Sequence, residues 1–267
     1  MKKLPDVEKR IIIGKNVKLG SNVHFEDGAY IEDGTKIGDN VRVGAFTQIL
    51  CGSVIEDDCV IGSHCIIGHL AKFELQKTDF SITSPKVTEF IIKDPVTRIG
   101  EGSIIRSGST IYKHVAIGRK LRTGHGALIR EHVTLGDNCI IGTQAILDGY
   151  IKIASKSMIQ SQCYIAQSVK IGNGVFIAPG CIFLDNKRIV LGQGLNGPTV
   201  EDYVRISAGT TILPGATVGK YALIGAGSVV VKDIPSKAIA YGVPAEVKAF
   251  QSDEEIRKYV DSIIAWE

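Results

Sequence analysis

An apolar residue recurs at every sixth position of this chain, and that period leaves few folds open. It runs from Ile13 through Leu19, Phe25, Ile31, Ile37, Val43, Ile49, Ile55 and Ile61 to Ile67. It resumes at Ile99 and holds register to Phe183, with Thr123 the one polar slot residue, then returns from Val200 to Val230. Four residues after most slots stands a small or branched residue such as Val17, Thr35, Ser53, Ala127 or Cys139. Neither a helical period of 3.6 nor plain alternation produces this pattern. It is an internal repeat, and repeats of this kind build solenoids. Each hexad supplies one short strand: the slot points inward and the following Gly or Asp turns the corner. Three hexads close a triangular coil, so residues 18 apart in the chain stack directly. Coils repeat about every 4.8 Å, and about 31 hexads give about ten coils, a prism on the order of 50 Å long.

Composition narrows the function classes. A net charge of +3 with 22% charged residues is too mild for a dedicated nucleic-acid binder. The polar first ten residues predict no signal peptide, and no apolar stretch approaches membrane-spanning length, which points to a cytoplasmic protein away from membranes. Five of the six cysteines, Cys59, Cys65, Cys139, Cys163 and Cys181, fall in the small inward slot and read as core fillers in a reducing compartment. Cys51 departs from that slot and reads as an unpaired surface or corner thiol.

Two insertions break the repeat. The first, about 69–96, carries Phe73, Phe80 and Phe90 among Lys72, Lys77 and Lys86; the second, about 185–198, reads DNKRIVLGQGLNGP. Loops at solenoid corners are where binding residues gather. Gly192, Gly194 and Gly197 are spaced as GxGxxG, but Pro198 and another hexad follow where a dinucleotide site needs a helix, so that reading is rejected. The repeat spans one domain, 1–250, and a helix over 251–267 follows it. Ser252 and Glu255 form a capping box there, ahead of an apolar face of Ile256, Tyr259, Val260, Ile263 and Ile264. The helix is expected to pack across a prism and to cap the last coil.

The hexad pattern, the GVPAEV segment at Gly242–Val247 and the short terminal helix resemble the left-handed parallel β-helix of the hexapeptide-repeat acyltransferases. That all-β fold, with about ten coils, two corner loops and a short C-terminal α-helix, is the expected architecture; its left hand comes from the resemblance. In size, layout and the runs IIRSGSTIY from Ile104, TGH at 123–125 and NGPT at 196–199, the chain resembles the N-acetyltransferases of nucleotide-linked 3-amino sugars. The resemblance implies a homotrimer with clefts between prisms and transfer of acetyl from acetyl-CoA to a sugar amine, with a dTDP-linked 3-amino-3,6-dideoxyhexose as the acceptor. It also implies coenzyme A contacts at Ser207, Ala208, Gly209, Ala226 and Gly227, with Lys232 near a phosphate.

Coil arithmetic places the remaining candidates. His125 sits at a corner among Ser107, Thr143 and Ser161, and histidine is the residue type suited to act as a general base near neutral pH. His114, His132 and Tyr150 form a second column; His132 is a second catalytic candidate and His114 a substrate contact. Arg106, Arg122 and Arg130 are candidate diphosphate contacts, because guanidinium binds phosphate oxygens bidentately. Asp148 stacks above Arg130, and a structural ion pair is the competing reading there.

Four alternatives remain. A UDP-linked amino sugar could replace the dTDP-linked one, and other hexapeptide O-acyltransferases share nucleotide-sugar binding. A γ-class carbonic anhydrase has the same helix, but Arg130 stands where its second zinc histidine belongs and His64 with His69 sits in the wrong hexad positions, so no metal is expected. The two insertions argue against a bare scaffold.

Overall fold

The computed structural model describes residues 10–71, 97–188 and 195–266. It is a parallel β-solenoid of about eleven turns, all-β apart from one short helix, and is consistent with the left-handed β-helix. Among the described residues the strands form three sheets of 11, 10 and 12 strands, each ordered by a step of three along the chain. Face 1 begins with Ile12–Ile13, face 2 with Lys18–Leu19 and face 3 with His24–Phe25. Corners are named by the faces they join: 1/2, 2/3 and 3/1.

The hexad slots are the core. On face 1, Ile13, Ile31, Ile49 and Ile67 pair in parallel register, and the ladder continues through Ile111, Ile129, Leu147 and Ile165 to Phe183, Ile212 and Val230. From Ile31 onward these side chains are fully buried. Each contributes about 1.5–3 kcal/mol of apolar burial, and stacking mostly Ile on Ile keeps the volume mismatch small between most rungs. Ile13 and Leu19 are exposed, because they belong to the first described coil and have a neighbour on one side only.

Thr123, the polar slot, has a structural reason. It is 5% exposed, and its Oγ1 accepts the Arg106 N–H at 2.8 Å, a bond that a slot carbonyl accepts at the neighbouring rungs Gly62 and Gly124.

Outward residues differ sharply between faces. Face 1 presents Ile12, Tyr30, Ile66, Leu128, Ile146, Ile182 and Val229, with no Lys, Arg, Asp or Glu at the outward position of any described strand. Face 2 presents Lys18, Lys36, Arg98, Lys152 and Lys170. Face 3 is mixed and carries the terminal helix α1 (Asp253–Ile264), whose N-terminus is closed by the expected Ser252–Glu255 capping box.

The helix lies along its own prism rather than over the last coil, which corrects the expected capping role. Ile256 and Ile263 are buried, the Tyr259 hydroxyl donates to the Gly174 carbonyl at 2.8 Å, and Arg205 lies over the Tyr259 ring at 4.8 Å. Lys156 Nζ donates to the Ile264 carbonyl at 3.1 Å, placing a cation at the negative end of a helix whose last turn carries no basic residue. The end of the stack is closed instead by Ala238–Tyr241, which pairs parallel with Leu223–Ile224, and by Glu246–Phe250 folding back antiparallel. Within that hairpin the GVPAEV segment buries Ala245, whose N–H donates to the Val229 carbonyl at 2.8 Å.

All six cysteines are free and buried. Burial pushes the Cys59 and Cys139 thiols up to about 11, as core fillers should behave. Cys51 is at a corner as expected, but it is buried rather than on the surface.

Candidate active site

The sequence-predicted residues fall at two different corners, apart from Arg122, which lies on a strand of face 3. Corner 3/1 collects Arg106, Ser107, His125, Thr143 and Ser161, then Ser207–Ala208–Gly209 and Ala226–Gly227, all in one column along the prism. His125 is exposed and its carbonyl accepts the Gln144 N–H at 2.9 Å. Gly124 must be glycine, since a Cβ there would lie 2.2 Å from the Thr143 nitrogen. The coils therefore close tightly just before the imidazole.

One property sets this column apart. At other corners the N–H of the second turn residue is often taken by a side-chain oxygen of a neighbouring coil: Ser21 and Arg119 donate to Asp39 and Asp137, and Gln167 to Asp185. On corner 3/1, the N–H groups of Ser107, His125, Thr143, Ser161, Ala208 and Ala226 meet no acceptor among the described residues. They form a row of donors facing solvent or a ligand, interrupted at the Pro179 rung, which has no N–H. A Cβ built at Gly180, Gly209 or Gly227 would meet nothing within 4 Å, so the surface beside that row is open. Hexad spacing alone does not reveal this row; the signal in the sequence is the absence of Asp, Asn or Glu from the first two turn positions of this corner from residue 124 onward.

Corner 1/2 holds the other candidates. His114 stacks on His132 with centroids 4.9 Å apart, and His132 on Tyr150 at 4.6 Å, as the column arithmetic predicts. Arg130 is already engaged: it donates to Asp148 at 2.6 Å and to both oxygens of Glu131 at 2.9 and 3.2 Å. The competing reading of Arg130 as a structural ion pair is the geometry observed, and its N–H groups are committed to carboxylates rather than turned to a diphosphate. Burial pulls the guanidinium pKa down, but Asp148 and Glu131 outweigh it and the net shift is upward. Tyr164 donates to the other Asp148 oxygen at 2.9 Å; burial first, and this bond second, push its hydroxyl up to about 12.

Both insertions leave from this same corner, the first between Ile66–His69 and Thr97–Ile99, the second between Ile182–Phe183 and Thr199–Val200. Phe73, Phe80, Phe90, Lys72, Lys77, Lys86, Gly192 and Gly194 lie outside the described residues. Lys232 also belongs to corner 1/2, across face 1 from Ala226 and Gly227, since Asp233 beside it accepts the Thr217 N–H.

Arg122 projects outward from face 3, three residues before His125, and its Cζ lies over the Trp266 ring at 5.0 Å. Among the described residues no carboxylate pairs with Arg106 or Arg122, and no group of three or more His, Cys, Asp or Glu is placed to hold a metal ion. His64 stacks on Phe46 at corner 3/1, while His69 packs on Tyr112 at corner 1/2, so those two do not converge.

With this geometry in hand, the family model "Bacterial transferase hexapeptide (six repeats)" matches residues 10–45, 34–71 and 197–232. The resemblance to hexapeptide-repeat acyltransferases stands. Several acetyltransferases share short stretches with this chain. The galactoside O-acetyltransferase of Lactococcus lactis is 43% identical over 60 residues, 22% of this chain and 29% of that protein. The dTDP-3-amino-3,6-dideoxy-alpha-D-galactopyranose 3-N-acetyltransferase of Aneurinibacillus thermoaerophilus is 47% identical over 51 residues, 19% of this chain and 27% of that protein. The matched stretches thus span under a third of either relative. Among solved structures, the UDP-N-acetylglucosamine acyltransferase of Francisella novicida is 16% identical, covers 93% of this chain and 75% of that one, and has a TM-score of 0.46. PerB from Caulobacter crescentus, solved with CoA and GDP-perosamine, is 23% identical over 53% of this chain and 57% of that one, with a TM-score of 0.33.

Proposed function

We propose that this chain is an acetyl-CoA-dependent N-acetyltransferase acting on the amine of a nucleotide-linked amino sugar, with a dTDP-linked 3-amino-3,6-dideoxyhexose as the first acceptor to test. The row of unoccupied N–H donors along corner 3/1 carries the reading. From His125 to Ala226 it climbs five coils, about 24 Å at the strand repeat, and offers amide-binding donors to an extended pantetheine arm at Ser207–Gly209 and Ala226–Gly227. The thioester then lies near His125 at the lower end. The Aneurinibacillus relative supports the choice of acceptor.

The chemistry follows from these groups. The neutral amine attacks the acetyl carbonyl, an N–C bond forms, and the carbonyl oxygen takes up negative charge beside backbone N–H donors. His125 takes the surplus proton from nitrogen. The C–S bond then breaks, and the departing thiolate of coenzyme A accepts that proton.

Trimerisation completes the site in this proposal. Uncharged face 1 is the surface suited to burial between prisms, while basic face 2 suits solvent. Packing face 1 about a threefold axis sets corner 3/1 of one subunit against corner 1/2 of the next, so that His125 meets the neighbour's stacked-histidine column.

The test is thiol release from acetyl-CoA against dTDP- and UDP-linked 3-amino and 4-amino sugars, with a galactoside as the hydroxyl acceptor. Turnover confined to one nucleotide amino sugar is expected. Turnover on the galactoside alone would replace the reading with O-acetylation. In the active pair, His125→Asn is expected to lower kcat by about 10²- to 10⁴-fold. A loss smaller than tenfold would assign the proton directly to the departing sulfur.

A further inference from the structure

The C-terminal helix ends where faces 2 and 3 meet, and the residues after it reach the strand that leads into the candidate site. Tyr259 and Ile263 dock at Gly174, and the chain then delivers Trp266 onto Arg122, on the strand that runs into Gly124 and His125. Trp266 is the chain's single tryptophan. An indole offers a cation only its π face, so stacking orients a guanidinium without consuming its N–H donors. That contrasts with Arg130, whose donors are spent on Glu131 and Asp148. Arg106 stands one coil below, two residues beyond Ile104, which pairs with Arg122. Two guanidinium groups without carboxylate partners among the described residues therefore flank the Gly124–His125 turn, and one of them is held by the helix end.

We propose that Arg122, positioned by Trp266 and assisted by Arg106, binds the diphosphate of the nucleotide-linked acceptor, which makes the C-terminal helix a positioning element of the acceptor site. The inference rests on the acetyltransferase reading for the identity of the ligand. Coenzyme A also carries a diphosphate, but distance separates the two. In the proposed pose its phosphates lie about five coils away, near Ala226, about 24 Å from the rung of Arg122. The diphosphate at Arg122 is therefore the acceptor's.

Because the tryptophan is unique, its fluorescence reports this site alone. Titrating the full-length protein with dTDP and with UDP, and separately with coenzyme A, should give a saturable change in Trp266 emission with a nucleoside diphosphate and none with coenzyme A. By calorimetry, Trp266→Ala should weaken nucleoside diphosphate binding about three- to fivefold, the equivalent of a partly exposed cation–π contact. Trp266→Phe should recover much of the loss. In turnover assays the loss should appear in KM for the acceptor, with kcat and the KM for acetyl-CoA unchanged. Lys258→Ala, on the outer side of the same helix, should change none of these values. Circular dichroism and thermal melting of each variant separate a lost contact from an undocked helix.

A nucleoside diphosphate that binds Trp266→Ala as tightly as the unsubstituted chain would overturn the positioning role and leave the acetyltransferase reading intact. An emission change with coenzyme A instead would overturn the assignment of the diphosphate. Absence of nucleoside diphosphate binding would overturn this proposal, while thiol release from acetyl-CoA tests the transferase reading separately.

Discussion

Thr123 and Arg130 show how single residues in a repeat depart from its rule for local reasons. Every other hexad slot from Ile99 to Phe183 is apolar, so replacing Thr123 by valine looks like a correction. Its Oγ1, however, satisfies the Arg106 N–H inside a residue only 5% exposed. Thr123→Val is expected to cost about 0.5–1 kcal/mol, the loss of a part-buried hydrogen bond exceeding the gain of one methyl. Urea unfolding would check the sign, and a stabilised variant would refute the account. At Arg130, Asp148 also holds the Tyr164 hydroxyl, so Asp148→Asn disturbs two partners at once. About 1–3 kcal/mol of destabilisation is expected, below the full value for a buried pair because the Arg130 side chain is 28% exposed. The ion pair was legible as two positions one coil apart, but the role of Tyr164 was not, since it approaches from the next strand rather than from the same column.

At the scale of an element, the terminal helix is held by contacts that its own sequence only half announces. The capping box and apolar face were readable; Gly174, Lys156 and Arg205, which receive the helix, are not distinguished by the hexad pattern. Gly174 has φ +60, and a Cβ there would lie 2.8 Å from the Tyr203 ring and 3.1 Å from Ile263. Gly174→Val should therefore undock the helix and shift Trp266 emission to the red, with the solenoid left folded. The helix should also respond to acid. The Ser252 N–H lowers the Glu255 pKa, and the Lys237 side chain lowers that of Asp253. A depressed folded-state pKa gives stabilisation that is complete above the unfolded carboxylate values of about 3.9–4.3 and is lost as pH falls through the folded values. Helical circular dichroism and the Trp266 signal should thus fade below about pH 4 before the β-signal does.

For the whole molecule, the contrast between faces bears on the proposed trimer, which takes uncharged face 1 inward. If face 1 packs about a threefold axis, one charge at its centre is enough to oppose association, because a buried unpaired carboxylate is far more costly than an exposed one. Ile146→Glu should dissociate the assembly in sedimentation and abolish turnover. Lys152→Glu, on face 2, should leave both unchanged. Equal sedimentation of the two variants would move the interface to another face and separate corner 3/1 from the histidine column.

The hexad period determined the solenoid because it is a local property: six residues make one strand and one turn wherever they occur, so slots, ladders and corner columns follow by counting. His125, His132 and the late-coil turns could be assigned to corners on that basis alone. Counting did not show that both insertions leave one corner or that Arg130 is neutralised while Arg122 is not, nor did it place Trp266 on Arg122, three residues before His125. Those outcomes depend on side-chain fit and direction between segments far apart in the chain, such as Trp266 on Arg122 and Ile263 against Gly174. A repeat cannot encode contacts with a segment that lies outside it, so only the tertiary structure decides them.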